Sequence, residues 1–117
     1  MRYDLAVWEG ERPADNEQAT QVFQSLCDRY IEAEERELPT DLILRFVGAL
    51  LEKWGSVTVD AERPPPSTGP LLMEANGPFI YFPMAYSRRR VVPAEAAEIA
   101  AAMGLVCYDP QLGQLRP

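Results

Sequence analysis

The side chains that could do chemistry in this chain are carboxylates, aromatic rings and arginines, because its 117 residues include no histidine. Without histidine the chain has no histidine general base, no Ser-His-Asp or Cys-His arrangement and no histidine metal site. No glycine spacing fits a dinucleotide-binding or P-loop motif, and two cysteines cannot hold zinc without other ligands. Paired carboxylates such as Asp4 and Asp109 could in principle support catalysis, but solvated or hydrogen-bonded roles are the more common ones. No residue pattern recommends an enzyme, and we expect no cofactor and no metal site.

One set of aromatic and polar residues could form a binding patch if three predicted strands end at the same edge of a sheet. If the first strand, the strand after a central hairpin and the last strand run parallel, their carboxyl ends lie at one edge, and ligands in such sheets favour that edge. Tryptophan and tyrosine are typical of binding hot spots. The predicted partner-binding residues of this patch are Trp8, Glu9, Tyr86, Ser87, Asp109 and Gln111. Alternatively, Trp8 and Tyr86 plug the end of the core, and Asp109 caps a turn.

The net charge of −7 belongs to the N-terminal half of the chain. Residues 1–62 carry six Arg and Lys against fourteen Asp and Glu, whereas residues 63–117 carry five against four. Such acidity argues against a nucleic-acid partner, which needs a basic surface. Glu34 and Glu35, in an acidic run, are predicted to contact a cationic partner, or they lie on a solvated helix end. Residues 88–90, three arginines, could bind a carboxylate or phosphate, or pair with the acidic half.

Two amphipathic helices are predicted from apolar residues that recur at intervals of three and four. The first stripe covers residues 19–30 and the second covers residues 43–54. Asp15 is a candidate cap for the first helix, with Gln18 three residues later as in a capping box. Thr40 is the candidate cap for the second helix. The two helices, joined by a few residues, are expected to form an antiparallel pair.

A hairpin over residues 71–83 lies at the centre of the predicted sheet. Asn76-Gly77 readily adopts the two positive φ values of a tight turn. Since Pro78 lacks an N–H to close a two-residue turn, we expect a wider loop. The run after the turn, residues 79–82, is apolar at nearly every position, which predicts a strand covered on both faces.

The remaining elements complete an α+β fold. Residues 2–8 and 105–108 predict the first and last strands, residues 56–60 a short strand, and residues 94–103 an alanine-rich third helix. The order is therefore β-α-α-β-β-β-α-β. We expect a single domain over residues 1–117, with a mixed, largely antiparallel sheet and the helix pair and third helix packed on one face. The hairpin's second strand, the third helix and the last strand would form a β-α-β unit.

The chain shows no apolar run near the ~18 residues of a membrane span and no signal segment, so we expect a cytoplasmic protein with no membrane partner. Cys27 and Cys107 lie in apolar patterns and are expected to be reduced thiols, with a disulfide as the alternative. Residues 64–66 are three prolines, which predict a stiff surface arm or a recognition element.

Three segments resemble a group of small bacterial proteins of uncharacterised activity: residues 3–10 (YDLAVWEG), residues 77–82 (GPFIYF) and residues 104–111 (GLVCYDPQ). In size, acidity and lone-domain character, the chain is also similar to immunity proteins, which neutralise secreted or contact-delivered toxins. This resemblance implies a cognate protein toxin as the partner, occluded by an acidic surface with aromatic residues. It implies no catalytic residue, and the chain departs from the group at residues 64–66 and 88–90.

Two other functions remain open from the sequence. The chain could be a small enzyme or a ligand-binding domain that uses a strand-end patch around Glu9 and Asp109. A closed pocket containing both residues would favour that function, whereas a flat or convex exposed surface would favour an immunity protein. A regulatory module that binds through the proline arm, residues 62–68, is the third possibility.

Overall fold

The computed structural model describes residues 2–31, 37–55, 75–85 and 90–116. In these residues it contains three α-helices and a five-stranded sheet, which confirms the α+β class. The elements in chain order are β1 (Arg2–Trp8), α1 (Asn16–Leu26) with a π-helical turn (Cys27–Ile31), α2 (Asp41–Gly55), β2 (Ala75–Asn76), β3 (Phe79–Ala85), α3 (Val92–Ala102), β4 (Val106–Asp109) and β5 (Gln114–Leu115). The expected strand at 56–60 and the arm at 64–66 lie outside the described residues. No described helix is both long and apolar enough to cross a membrane.

The central strand of the sheet is β1, and both of its neighbours run antiparallel to it. The strand order is β2-β3-β1-β4-β5, with Ala6 opposite Tyr81 of β3 on one side and Tyr108 of β4 on the other. The condition on which the strand-end patch depended, that β1 runs parallel to β3 and β4, is therefore not met. The connection from β1 to β3 is long enough for either direction, so chain length does not decide it. As expected, β3 and β4 run the same way, but β1 lies between them.

Helices cover both faces of the sheet. Because side chains alternate along a strand, Leu5 and Val7 of β1 pack in one core cluster with α2 and α3, whereas Ala6 and Trp8 pack in another with α1. Thus α1 and α2 lie on opposite faces, and α2 packs beside α3 instead of forming the expected pair with α1. The prediction that the strand after the hairpin is covered on both faces is confirmed.

The turn between β2 and β3 lies one residue later than the sequence predicts. Asn76 is the last residue of β2 and pairs directly with Phe79, so Gly77 and Pro78 form a two-residue turn. Gly77 has a φ of 57°, the positive sign that glycine adopts at the first central position of a type II′ turn. Pro78 occupies the second central position, where its missing N–H is not needed for pairing. The expected wider loop is therefore wrong.

The same turn anchors the chain between α1 and α2. The buried Asn76 side chain donates from Nδ2 to the carbonyl oxygen of Tyr30 at 2.7 Å and accepts at Oδ1 from the Glu37 N–H at 2.7 Å. Gly77 donates its N–H to the Glu37 carbonyl at 3.3 Å, and Thr40 donates its N–H to the Gly77 carbonyl at 3.0 Å. The hairpin thus fixes the path of residues 37–40 through three hydrogen bonds and holds the end of the preceding helix through the fourth, to Tyr30.

We predict that Gly77→Ala lowers the free energy of unfolding by about 1–2 kcal/mol, because the turn requires a left-handed backbone. An added Cβ would also lie 2.8 Å from Glu37 Oε2 and 3.1 Å from Tyr30 Cε1. Urea unfolding measures the change. The matched control is Gly48→Ala on the exposed side of α2, where a Cβ meets nothing within 4 Å. That control should stabilise by up to ~1 kcal/mol, and equal effects of the two variants would contradict this account.

Candidate functional site

The predicted strand-end patch is divided between the two ends of the sheet. Trp8 ends β1 opposite Phe79 and Val106, which begin β3 and β4. Asp109 ends β4 at the far side, where the Tyr3 hydroxyl donates a hydrogen bond to it. The antiparallel direction of β1 is the physical reason that Trp8 and Asp109 do not converge.

Trp8 is a core residue at its end of the sheet. It is 2 % exposed, and its ring lies 6.5 Å from Phe79 and 5.9 Å from Tyr108 between centroids. Glu9 follows it, half-buried, and donates its N–H to the Pro78 carbonyl at 3.0 Å. The interpretation of Trp8 as a plug for the core thus agrees with the structure, and Glu9 is the residue of this pair that reaches the surface.

Asp109 is a buried turn cap. Its side chain is 1 % exposed, and Oδ1 accepts hydrogen bonds from the Gln111 N–H at 3.1 Å, the Gln111 Nε2 at 2.8 Å and the Leu112 N–H at 3.2 Å. Oδ2 accepts from the Tyr3 hydroxyl and forms an ion pair with Arg116 Nη2 at 3.2 Å. Five donors therefore surround one carboxylate, which matches the cap interpretation and satisfies a charge that would be costly to bury alone.

Gln111, which is exposed, ties this turn back to β1. Its Oε1 accepts from the Asp4 N–H at 2.6 Å, and its Nε2 donates to the Asp4 carbonyl at 2.6 Å. The amide therefore pairs with the backbone of Asp4 as a neighbouring strand would. Tyr81 completes the group by donating its hydroxyl to Asp4 Oδ2 at 2.8 Å. The side-chain bonds that Gln111 makes are structural, and they orient the turn.

We predict that Tyr3→Phe lowers the free energy of unfolding by about 1.5–3 kcal/mol, since it removes a hydrogen bond to a buried carboxylate. Burial first, and then the adjacent Asp109 carboxylate, raise the pKa of Tyr3 above the usual 10.0. The folded state therefore binds the phenolic proton more tightly than the unfolded chain does. The stability that the protein gains from this tighter proton binding is fully present below pH 10.0. It is lost as pH rises through the pKa of Tyr3 in the folded state.

Urea unfolding between pH 7 and pH 11 measures both the stability lost in Tyr3→Phe and the loss of stability at alkaline pH. Tyr81→Phe, whose hydroxyl bonds to the half-buried Asp4, is the comparison and should cost about 0.5–1.5 kcal/mol. An alkaline loss of stability that is the same in the wild type and in Tyr3→Phe would show that Tyr3 is not its source.

Four of the predicted partner-binding residues, Glu34, Glu35, Tyr86 and Ser87, lie outside the described residues. The two cysteines lie on opposite faces of the sheet, and no disulfide joins them, as expected. Burial raises the pKa of the Cys107 thiol to about 12, so it stays protonated at neutral pH and is a poor nucleophile. In the described part of the chain, no group of three or more acidic or cysteine side chains could hold a metal ion.

The sequence reasoning did not predict the surface that forms around the β2–β3 turn. Glu37 and Asp41 are exposed, Glu9 is half-buried, and Leu38 is 90 % exposed. Backbone hydrogen bonds join all of these segments to the same two residues of the turn. We call Glu9, Glu37, Leu38 and Asp41 the turn-end surface. The one sequence feature that could have indicated this surface is Leu38, an isolated leucine between an acidic run and a proline.

A cleft of about 260 Å³ lies between the carboxyl-terminal half of α3 and the start of β4. Two arginines, Arg12 and Arg116, line it together with small residues such as Ala97 and Ala101. A second cleft of about 320 Å³ shares Ala97, Ala101 and Arg116 with it and adds Glu98. Neither cleft is lined by Glu9 or Asp109, so neither is the closed pocket that would favour a strand-end ligand site.

Comparisons with models of protein families, with proteins of curated function and with solved structures find no match for this chain.

Proposed function

We propose that this protein is an immunity protein, which binds a cognate toxin and occludes the toxin's active site through an acidic surface. The observation that carries the proposal is the turn-end surface, where three carboxylate residues accompany one leucine that is 90 % exposed. A leucine so exposed gains nothing for the fold, but in an interface it could fill an apolar pocket. Polar groups at the rim would then exclude water from that contact.

The backbone beneath this surface is held in place before any partner arrives. Glu9 is held by the carbonyl of Pro78, and Glu37 and Thr40 are held by the backbone of Gly77. Binding through a surface that is already ordered loses less conformational entropy than binding through a mobile loop. This supports a role in tight and specific association.

The charge of the N-terminal half suits a cationic partner. Among the side chains described in residues 2–55, seven exposed carboxylates stand against three exposed arginines: Glu11, Asp15, Glu17, Asp28, Glu37, Asp41 and Glu52 against Arg12, Arg29 and Arg45. Such an excess speeds the encounter with a basic surface and disfavours acidic partners. A toxin with a cationic active site is the partner that this charge would recognise. The proposal locates the complex in the cytoplasm, where the two thiols would stay reduced.

The first test is co-purification with the product of a neighbouring toxin-like gene, and we expect a dissociation constant below 1 μM, i.e. tighter than about −8 kcal/mol. Leu38→Ala should weaken the complex at least tenfold, or about 1.4 kcal/mol, if the leucine is a central anchor. The matched control is Leu112→Ala, because Leu112 is 59 % exposed in the Asp109 turn, far from the turn-end surface. Absence of sub-micromolar binding, or equal effects of the two leucine variants, would contradict the proposal.

The second test concerns charge and uses association rates measured by stopped flow at low and high salt. Glu9→Gln and Glu37→Gln should each lower the association rate constant by about two- to fivefold at low salt and weaken its salt dependence. Glu98→Gln, on α3, is the control and should leave the rate unchanged. Association rates that do not depend on salt, or that respond as strongly to Glu98→Gln, would argue against steering by this surface.

A further inference from the structure

A second binding site is formed by the cleft between α3 and β4, which shares no residue with the turn-end surface. We propose that this cleft, the α3 cleft, binds a small organic anion, a carboxylate or a phosphate monoester that carries a short apolar body. The inference does not depend on the proposed toxin partner, because it rests on different residues.

The anionic group would bind at Arg12 and Arg116. Arg12 donates from Nη1 to the Arg116 carbonyl at 3.1 Å, which holds the guanidinium at the cleft. That is the one hydrogen bond it makes within the described residues, and a guanidinium has five N–H donors. The other N–H groups of the Arg12 guanidinium are arranged in a planar fork that can bind two oxygens of a carboxylate or phosphate.

Arg116 is oriented by the protein itself. Its Nη2 forms an ion pair with Asp109 Oδ2, and its backbone N–H donates to the Cys107 carbonyl at 2.8 Å. Asp109 is not among the residues that line the cleft, and its carboxylate is surrounded by five hydrogen-bond donors. Glu98 lines the adjoining cleft, and its charge would repel an anion there. The anionic group is therefore expected at the Arg12 end.

The walls of the α3 cleft suit an apolar body. Ala97 and Ala101 leave space where larger side chains would fill it, and the buried Leu105, which packs in the same core cluster as Ala97, also lines the cleft. The Cys107 thiol adds a neutral surface, because burial keeps it protonated even beside two guanidinium groups. A largely apolar cleft with a few polar groups at one end is the usual form of a small-molecule site.

The test uses hexanoate and hexyl phosphate as anionic probes, and hexanamide as the neutral probe of matched length, in calorimetric titrations of the full chain. We expect saturable binding of at least one anion, at least tenfold tighter than hexanamide, since charge-assisted hydrogen bonds are the stronger ones. The anion that binds more tightly identifies carboxylate or phosphate as the ligand class. An anion that binds no more tightly than hexanamide, or absence of saturation for both anions, overturns the proposal.

Two variants test the location of the site. Arg12→Gln should weaken anion binding at least fivefold by removing the guanidinium fork, and Ala101→Leu should weaken it at least tenfold by filling the cleft. The matched controls are Arg45→Gln on α2 and Ala102→Leu on α3, both at exposed positions outside the cleft. These controls should bind as the wild type does. If Arg12→Gln and Ala101→Leu, checked for folding by circular dichroism, also bind as the wild type does, the site is not the α3 cleft.

Discussion

The fold depends on the burial of residues 5–8 of β1 between the neighbouring strands and two layers of helix. Leu5, Ala6 and Val7 have no exposed surface, and Trp8 retains 2 %. In this part of β1 the polar backbone groups must be paired and the side chains must be packed, because water reaches neither its edges nor its faces. Its two ends therefore become the places where the protein can present polar groups to solvent.

Those two ends are built differently. At the carboxyl end of β1, the backbone of Gly77 and Pro78 gathers acidic segments that remain exposed. At the amino end, Tyr3 and Asp4 join Asp109 and Gln111 in a network whose donors and acceptors bond to one another. The first end is available to a partner, whereas the second holds the last turn of the chain on the sheet. This difference is why the functional proposal rests on one end of β1 alone.

The sequence was sufficient for features set by local physics. Asp15 caps α1 by accepting the Gln18 N–H at 2.8 Å, and Thr40 accepts the Ile43 N–H at 3.3 Å, as the capping patterns predict. The unbroken apolar run at residues 79–82 correctly indicated burial on both faces. These features depend on a few neighbouring residues, so spacing alone can identify them.

Features set by distant contacts could not be read in this way. The direction of β1 depends on how some seventy residues return to the sheet, and this placed Trp8 and Asp109 at opposite ends. The turn lies one residue later than expected, and Asn76 stays in β2, where its side chain bonds to Tyr30 and Glu37. None of these partners is near Asn76 in the sequence.

The hydrogen bonds of Asn76 also have a chemical consequence for the lifetime of the protein. In a flexible chain, an asparagine followed by glycine deamidates readily, because the unhindered glycine nitrogen can attack the side-chain amide. Here the amide is held at both ends by Tyr30 and Glu37, and the Gly77 nitrogen donates to the Glu37 carbonyl. These hydrogen bonds keep the Gly77 nitrogen and the side-chain amide of Asn76 out of the geometry in which the succinimide ring closes. The folded state thereby protects the one Asn-Gly pair in the chain from spontaneous ageing.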